Sequence, residues 1–371
     1  MDYQHGGDIY SQEIRWDFSA NVNPLGLPEG VRQAVGDAAK DCASYPDSRC
    51  RRLVGKLAAY HQVPEEWILC GNGAADLIFQ AAYAQRPGEG WLLSPTFSEY
   101  EQALKAVDGR IRFFALKREE GFLLEVGRLM ERLGKEGGGG NLCRGNFGRK
   151  AHPPVVFLCN PNNPTGLAVS RTELRKLAAF AEQEGIRLIV DECFLDFCER
   201  KRQCSMIADL QDFPHMVVVK AFTKRFGMAG LRLGYCVTKD RKLLERMEST
   251  RQPWPVSLVA QAAGEAALEE KEYLAHTDTV VRAGRKQLEK GLRDLGFWVC
   301  PSEANFILFQ DLREGAEDGR LYGQCRERKL LLRSCKNFRG LDGSYYRVCV
   351  KGEKENKVLL NMLKELTNLN R

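Results

Sequence analysis

The sequence predicts an α/β protein: a mostly parallel sheet with helices on both faces, followed by a smaller α+β unit. Two observations support this prediction. Short, continuous apolar runs rich in β-branched residues recur over the first two thirds of the chain, and segments with helical periodicity separate them. After about residue 250 the pattern changes to long helical segments, two strands at 305–309 and 346–350, and a closing amphipathic helix.

These patterns divide the chain into three segments. Residues 1–40 form an N-terminal arm that contributes to the small domain, residues 41–250 form the large domain, and residues 251–371 form the C-terminal small domain. The segment 134–153 interrupts the large domain with four consecutive glycines and several basic residues. Because this composition cannot bury a core, we expect a flexible surface insertion there.

Composition and charge exclude some classes of function. The chain has 371 residues, 44% hydrophobic and 28% charged, which is typical of a globular protein. Its net charge of +6 comes without a basic block, so we expect no nucleic-acid partner. The first residues lack the features of a signal peptide, and no run approaches the roughly 18 apolar residues of a membrane span. We therefore expect a cytoplasmic protein with no membrane partner.

The thirteen cysteines are scattered rather than paired. The closest group, Cys193, Cys198 and Cys204, lacks the CxxC spacing of a zinc site, so we expect no metal site. We interpret the cysteines as reduced thiols, because several lie in apolar runs and an odd number cannot all pair.

The chain begins with an extended, turn-rich arm that runs to Asn23-Pro24, where the proline disfavours helix at the preceding residue. A helix with one buried face follows at 53–58. The apolar strand 67–70 then enters the glycine turn 71–73 and a helix, an arrangement that directs backbone N–H groups and the helix dipole at a phosphate. The turn is too short for a dinucleotide site, and no Walker lysine follows it.

Four further strands, at 91–94, 155–159, 187–190 and 216–219, complete the predicted sheet. Ligands of parallel sheets gather at the carboxyl ends of the strands. The residues that stand just past these ends are Gly73 with its neighbours, Phe97, Asn163, Asp191 and Lys224. Their convergence on one edge of one sheet predicts a binding site there.

Lys224 and Arg232 indicate what this site binds. A lysine carried by a buried strand onto a loop is well placed to form an imine with an aldehyde cofactor, and a nearby arginine can hold the cofactor's phosphate. With Asp191 as a charge partner for a pyridinium nitrogen, these residues describe a site for pyridoxal 5′-phosphate (PLP), which itself carries the organic chemistry.

The chain resembles the fold-type I PLP-dependent enzymes through the motif Asn163-Pro164-Thr165-Gly166, Asp191, and Lys224 followed by Arg232, in that order and spacing. The resemblance implies the fold-type I PLP-dependent transferase fold. In that fold a large PLP-binding domain contains a mostly parallel seven-stranded sheet, and a smaller α+β domain follows it.

The resemblance also implies roles for the cofactor-binding residues. Lys224 is the catalytic Schiff-base lysine and later proton carrier, and Asp191 is the ionised partner of the pyridine nitrogen. Asn163 donates to the phenolic oxygen of the ring, and Phe97 stacks on the ring. The remaining cofactor-binding residues hold the phosphate or flank the lysine: Gly73, Ala74, Ala75, Thr223 and Arg232.

Among these enzymes the chain looks most like the threonine-phosphate decarboxylases of cobalamin biosynthesis, which are close relatives of the histidinol-phosphate aminotransferases. The segments that carry the likeness are 5–7, 17–26, 45–47, 61–64, 191–197, 332–341 and 345–348. The likeness implies that a homodimer decarboxylates L-threonine O-3-phosphate to (R)-1-aminopropan-2-yl phosphate. The substrate-binding residues that it implies are His5, Gly6, Asn23, Asn163, Arg333 and Arg347.

Two related activities and one regulatory role remain as alternatives. A histidinol-phosphate-type aminotransferase shares nearly all the cofactor residues. A decarboxylase of L-serine O-phosphate, giving ethanolamine phosphate, differs by one methyl group on the substrate, worth about 1–3 kcal/mol of discrimination. A PLP-sensing regulator would need an appended DNA-binding module. We expect His5, Arg333 and Arg347 to select decarboxylation by fixing the torsion at the substrate's Cα.

Overall fold

The computed structural model describes residues 5–136 and 153–368. Before the gap it contains, in chain order, β1 (Trp16–Asp17), α1 (Glu29–Ala38), α2 (Arg51–His61), β2 (Ile68–Gly71), α3 (Gly73–Gln85), β3 (Glu89–Ser94), α4 (Glu99–Lys105), β4 (Arg110–Ala115) and α5 (Val126–Glu136). After the gap it contains β5 (Val155–Cys159), α6 (Arg171–Gln183), β6 (Arg187–Asp191), β7 (Val217–Ala221), α7 (Phe222–Arg225), β8 (Gly234–Val237), α8 (Arg241–Thr250), α9 (Leu258–Ala267), α10 (Lys271–Asp294), β9 (Trp298–Val299), β10 (Phe306–Gln310), α11 (Arg320–Glu327), β11 (Leu330–Leu331), β12 (Arg333–Ser334), β13 (Tyr345–Cys349) and α12 (Glu353–Asn368). The insertion expected at 134–153 lies outside the described residues except at its ends, where α5 continues to Glu136.

Seven strands form the large sheet, in the order β2-β8-β7-β6-β5-β3-β4. The strands from β7 to β4 run parallel, and β8 runs antiparallel to both of its neighbours, β7 and β2. Parallel neighbours need crossover connections, and helices such as α4 and α6 provide them. The prediction of a mostly parallel seven-stranded sheet is confirmed.

The apolar runs form these strands because both faces of the sheet are covered. Successive side chains alternate between the faces: Val218 packs in the core on one side, and Val217 and Val219 pack in the core on the other. Helices α2, α5, α6 and α9 contribute to the first core, and α3, α4 and α8 contribute to the second. Each fully buried valine or leucine stabilises the fold by about 1.5–3 kcal/mol.

The C-terminal unit is built on a four-stranded antiparallel sheet in the order β12-β13-β10-β9. Helices α10 and α12 cover it, and their core residues include Leu288, Leu292, Leu359 and Leu363. The prediction of a smaller α+β unit after the large sheet is therefore confirmed.

The N-terminal arm contacts both units. Strand β1 pairs in parallel with β11, so Trp16 lies opposite Leu330, and Phe18 is fully buried in the C-terminal core. Further along, the backbone N–H of Asn23 donates to the carbonyl of Lys224 at 3.1 Å. The arm therefore crosses the edge of the large sheet at which β6 and β7 end.

Candidate active site

A cavity of about 280 Å³ lies between the carboxyl-terminal edge of the large sheet and the C-terminal unit. The predicted cofactor residues on its wall are Ala74, Ala75, Phe97, Asn163, Asp191, Thr223, Lys224 and Arg232. The predicted substrate residues on its wall are His5, Gly6, Asn163, Arg333 and Arg347. Gly73 and Asn23 do not line it. A larger surface groove adjoins the cavity and shares His5, Phe97, Ser98 and Phe338 with it.

Lys224 stands in the short helix α7, directly after β7, and its side chain is half-buried. Its Nζ atom lies 5.9 Å from the centre of the Phe194 ring. Burial, together with the nearby charge of Arg347, lowers the pKa of Lys224 to about 8. About a tenth of the amine is then neutral at pH 7, against less than about 0.1% for an ordinary lysine. Lys224 is therefore a competent nucleophile toward an aldehyde.

Asp191 ends β6 and is buried. The hydroxyl of Tyr100 donates to its Oδ2 atom at 2.7 Å, and the backbone N–H of Cys193 donates to its Oδ1 atom at 2.9 Å. Burial, together with the Asp191 charge, raises the pKa of Tyr100 well above its usual value, so Tyr100 is a neutral donor. A buried carboxylate with both oxygens held in place is suited to pair with a cationic ring nitrogen.

The start of α3 and the guanidinium of Arg232 form an anion cradle. Gly73, with φ of +83°, opens α3, so the N–H groups of Ala74 and Ala75 belong to the first turn, which has no intrahelical acceptors. A Cβ atom on Gly73 would lie 2.7 Å from Nη2 of Arg232, and one on Gly234 would lie 2.6 Å from the nitrogen of Ala74. Glycine is needed at both positions, because Arg232 lies so close to Gly73 and the start of α3 lies so close to Gly234. Together they favour a phosphate.

Arg347 and Asn163 join the two units across the cavity. Nη1 of Arg347 donates to Oδ1 of Asn163 at 2.5 Å, and Nη2 donates to the carbonyl of Ser19 at 2.9 Å. The Nε atom has no hydrogen-bond partner among the described residues. Burial lowers the pKa of Arg347 to about 10, which leaves it a cation at neutral pH. A buried guanidinium with an N–H still to satisfy favours an anionic ligand.

Strand β12 pairs with β13 so that Arg333 lies directly opposite Arg347. Nη1 of Arg333 donates to the carbonyl of Ser334 at 2.5 Å, and Nη2 donates to Oδ1 of Asn337 at 2.8 Å. The guanidinium carbon lies 5.3 Å from the centre of the Phe338 ring, and burial lowers the pKa of Arg333. Because two neighbouring guanidinium groups repel one another, the site favours a ligand with more than one negative charge.

Asn23 and Asn21 lie on different sides of the arm. Nδ2 of Asn23 donates to the carbonyl of Arg225 at 2.7 Å and to Oγ1 of Thr277 at 2.8 Å, and its Oδ1 accepts from the N–H of Leu25 at 3.0 Å. The structure therefore places Asn23 outside the site, although the sequence led us to expect it there. Asn21 is buried and lines the cavity, and its Oδ1 has no hydrogen-bond partner among the described residues.

Sequence reasoning missed Asn21, although a signal was available. Asparagine in turn sequences commonly folds its side chain back onto the backbone two residues on, and Asn23 precedes Pro24-Leu25-Gly26. That pattern indicates a local structural use for Asn23. It leaves Asn21 as the arm's asparagine available to a ligand.

His5 and Gly6, at the start of the described chain, lie on the cavity wall. Nε2 of His5 stands 2.9 Å from Oε1 of Glu99, the first residue of α4. Gly6 packs against the backbone of Ser19 so closely that a Cβ atom would lie 2.3 Å from the Ser19 carbonyl oxygen. The N–H of Gly7 donates to Oγ of the same serine at 2.7 Å. These contacts hold His5 and Gly6 on the cavity wall.

Phe97 lies on the wall between the arm and α4. Its ring centre is 6.4 Å from that of His5 and 5.7 Å from that of Tyr100. The sequence did not identify Tyr100 or Glu99 as site residues. Both follow Phe97 within one helical turn, and that proximity to a strand end was the signal available for them.

Within residues 5–136 and 153–368, no group of three or more His, Cys, Asp or Glu side chains could hold a metal ion. None of the helices in these ranges has the length and apolar character to cross a bilayer. The cysteines in the same ranges are free thiols.

The sequence model of the family described as "Aminotransferase class I and II" matches residues 14–363. This chain belongs to the class I and II aminotransferase family. Threonine-phosphate decarboxylase from Salmonella typhimurium is 35% identical to it, over 98% of this chain and 96% of the relative. Histidinol-phosphate aminotransferase from Symbiobacterium thermophilum is 30% identical, over 93% of this chain and 88% of the relative.

A solved structure shares the class I and II aminotransferase fold. The histidinol-phosphate aminotransferase from Clostridium acetobutylicum superposes with a TM-score of 0.85 at 25% identity, covering 95% of this chain and 99% of that chain. The fold-type I PLP-dependent transferase fold expected from the sequence is confirmed.

PLP is the cofactor of this member of the class I and II aminotransferase family, and the residues present fit it. The cradle between Arg232 and the start of α3, where no Cβ atom could stand at Gly73, accepts a phosphate. The buried carboxylate of Asp191 and the amine of Lys224 lie on the wall of the same cavity. An anion site, a carboxylate and a nucleophilic amine are the groups that this cofactor requires.

Proposed function

We propose that this protein is a PLP-dependent threonine-phosphate decarboxylase, which converts L-threonine O-3-phosphate to (R)-1-aminopropan-2-yl phosphate and CO2. The observation that carries the proposal is the pair of buried arginines, Arg333 and Arg347, which lie opposite one another on the wall of the cofactor cavity. The 35% identity to a threonine-phosphate decarboxylase over nearly its whole length supports this substrate.

The charges on the cavity wall match the charges of this substrate. L-Threonine O-3-phosphate carries a carboxylate on Cα and a phosphate on its side-chain oxygen. With Arg232 assigned to the cofactor, the wall offers the substrate Arg333, Arg347 and, when protonated, His5. A planar guanidinium grips a carboxylate or a phosphate through two parallel hydrogen bonds, so two arginines can hold this substrate at both ends.

In this proposal Arg347 and Arg333 hold different ends of the substrate. Burial lowers the pKa of the Lys224 amine, and the positive charge of Arg347 lowers it further, so the two groups interact. The substrate's carboxylate is attached to the reacting carbon. In this proposal Arg347 and its neighbour Asn163 therefore bind the carboxylate. The phosphate, remote from the reacting carbon, belongs with Arg333 and with His5, which also lines the outer groove.

When bound, PLP supplies the electron sink that allows the bond between Cα and the carboxylate to break. Lys224, Asp191, Arg232 and the start of α3 are the groups that would hold it. After CO2 leaves, Lys224 donates a proton from Nζ to Cα, and its pKa of about 8 lets it exchange that proton near neutral pH. The grip on the remote phosphate orients the bonds at Cα and so selects which one breaks.

The test supplies the holoenzyme with L-threonine O-3-phosphate and measures CO2 and aminopropanol phosphate. We expect equal amounts of both products. L-Serine O-phosphate and histidinol phosphate serve as competing substrates, with 2-oxoglutarate present as an amino acceptor. Transfer of the amino group to 2-oxoglutarate without CO2 release would contradict the proposal and favour an aminotransferase.

We also propose a homodimer in the cytoplasm. The rings of Tyr45 and Trp254 stack with centroids 4.4 Å apart, although the two residues are 78% and 45% exposed. Exposed apolar groups that cluster in this way mark interaction surfaces. Light scattering should give twice the mass of the chain, and the double variant Tyr45→Ser, Trp254→Ser should shift the protein toward monomer.

The free thiols of the described residues fit a reducing compartment, which cell fractionation tests.

A further inference from the structure

Glu99 is a carboxylate on the wall of a cavity that is otherwise strongly cationic. The ionisable groups that share the described wall with it are Asp191, assigned to the cofactor, two cysteine thiols, the imidazole of His5, and the basic side chains of Lys224, Arg232, Arg333 and Arg347. The side chain of Glu99 is only 11% exposed. A buried negative charge beside a site for a doubly anionic substrate weakens binding unless a specific cation or donor engages it.

The partner of Glu99 is His5. Oε1 of Glu99 stands 2.9 Å from Nε2 of His5, and its Oε2 accepts from Oγ of Ser98 at 3.4 Å. Because a carboxylate is only an acceptor, its position beside Nε2 favours the His5 tautomer in which Nε2 is the donor. The second ring nitrogen, Nδ1, has no hydrogen-bond partner in the described part of the chain. The pair therefore fixes one nitrogen of the ring and leaves the other for a ligand.

We propose that Glu99 is a positioning residue for the substrate's phosphate, and that it acts through His5. Glu99 holds the imidazole against α4 and keeps Nε2 as the bonded nitrogen, so that Nδ1 meets a phosphate oxygen. A proton shared between Nδ1 and that oxygen makes a charge-assisted hydrogen bond whichever side carries it. This inference rests on the proposed function, since it takes a phosphorylated amino acid as the ligand.

The position of His5 explains why the ring needs such support. It lies at the start of the described chain, where Gly6 and Gly7 pack on Ser19 of the same arm and the ring centre of His5 lies 6.4 Å from that of Phe97. The ionic contact with Glu99 ties the ring to the large unit. Without it, the imidazole loses its fixed orientation while the fold of the arm is kept.

The experiment measures binding to the holoenzyme from the initial change in cofactor absorbance on rapid mixing, before the bound ligand turns over. The ligands are O-phospho-L-threonine and, as a matched control, unphosphorylated L-threonine. The variants are Glu99→Gln, His5→Ala and the double variant. Glu101→Gln is the control variant, because it removes the same charge from the same helix and its carboxylate pairs with Lys105 and Arg339 instead of His5.

We expect Glu99→Gln to weaken binding of phosphothreonine about 5- to 20-fold and binding of threonine less than about 2-fold, because one charge-assisted contact is lost. The double variant should bind phosphothreonine no more weakly than His5→Ala, since Glu99 acts through His5. Glu101→Gln should match the wild type with both ligands. The cofactor spectrum and melting temperature of Glu99→Gln should also match the wild type.

Three results would overturn the inference: equal weakening of both ligands, no weakening of phosphothreonine, or a double variant whose loss is the product of the single losses. Binding is measured separately from turnover, so the two proposals can fail separately. Tight, Glu99-dependent binding of phosphothreonine without CO2 release overturns the proposed function and supports the inference. CO2 release from phosphothreonine with unchanged binding in Glu99→Gln overturns the inference alone.

Discussion

The hydroxyl of Tyr100 donates a 2.7 Å hydrogen bond to Oδ2 of Asp191, and this bond links helix α4 to the end of strand β6. Tyr100 is fully buried, and its ring stacks on Phe157 with centroids 5.3 Å apart. The residue before it, Glu99, contacts His5 of the arm. Helix α4 therefore supports the cofactor site through Tyr100 and the proposed substrate site through the preceding residue, Glu99.

Tyr100→Phe should weaken PLP binding. The variant keeps the buried ring but removes one of the two hydrogen bonds that hold the Asp191 carboxylate in place beside the cofactor site. We expect the Kd of the apoenzyme for PLP to rise about 10- to 100-fold, since one hydrogen bond to a charged group is worth about 1.5–3 kcal/mol. Tyr235→Phe is the control: Tyr235 is also buried, but its hydroxyl bonds His61 at 2.7 Å, away from the cavity. Equal Kd values for the two variants would contradict the role of Tyr100.

The apoenzyme should react with pyridoxal with an inflection near pH 8. The neutral amine of Lys224 is the nucleophile, and burial with the charge of Arg347 lowers its pKa to about 8. The rate should therefore rise about tenfold per pH unit below pH 8 and level off above it. Stopped-flow absorbance measures the rate, and Lys224→Ala supplies the background from other lysines. An inflection near the pKa of an ordinary lysine, about 10.4, would show that the site does not perturb the amine.

Substitutions of Asn21 and Asn23 should have different effects, the first on substrate binding and the second on the stability of the fold. Asn21→Ala removes a cavity-lining amide with no other described use for its oxygen, so we expect a higher KM for threonine phosphate at an unchanged melting temperature. Asn23→Ala removes three side-chain hydrogen bonds, two of them to Arg225 and Thr277. We expect it to lower the free energy of unfolding by about 2–3 kcal/mol. If Asn23→Ala raises KM without loss of stability, the sequence-based expectation for Asn23 is the better one.

The cofactor residues were predictable because their signal is local. Lys224 and Asp191 each follow an apolar run that reads as a buried strand, and the carboxyl ends of parallel strands meet at one edge. Gly73 stands at a strand–turn–helix junction, which is also visible in the sequence. No knowledge of long-range packing was needed to bring these residues together.

The substrate residues were less predictable because their positions depend on packing between distant segments. Arg333 faces Arg347 through the register of a strand of only two residues, which has no periodicity of its own. Asn21 and Asn23 are the same residue type two positions apart, and only the contacts of Asn23 distinguish them. Likewise, no pattern in the sequence relates His5 to Glu99.

A further prediction concerns a buried lysine in strand β7 that contacts two carboxylates. Nζ of Lys220, in β7, lies 3.1 Å from Oδ1 of Asp196 and 3.6 Å from Oε2 of Glu192. Burial disfavours the Lys220 cation, but the two carboxylates outweigh burial and raise the pKa of Lys220 above its usual value. The same cation helps lower the pKa of Asp196, while burial raises the pKa of Glu192.

Lys220→Met should therefore destabilise the protein by about 3–5 kcal/mol at pH 7, because it leaves the fully buried carboxylate of Glu192 without its cation and removes a partner of the partly exposed Asp196. The loss should shrink as the pH falls, since protonation of Asp196 and Glu192 removes the unpaired charge. Urea unfolding at several pH values measures both effects. Lys201→Met is the matched control: Lys201 pairs with Asp278, but both side chains are about one-third exposed, and such a pair contributes less than about 1 kcal/mol. Similar small losses for the two variants would mean that the Lys220 pair is no stronger than a surface pair.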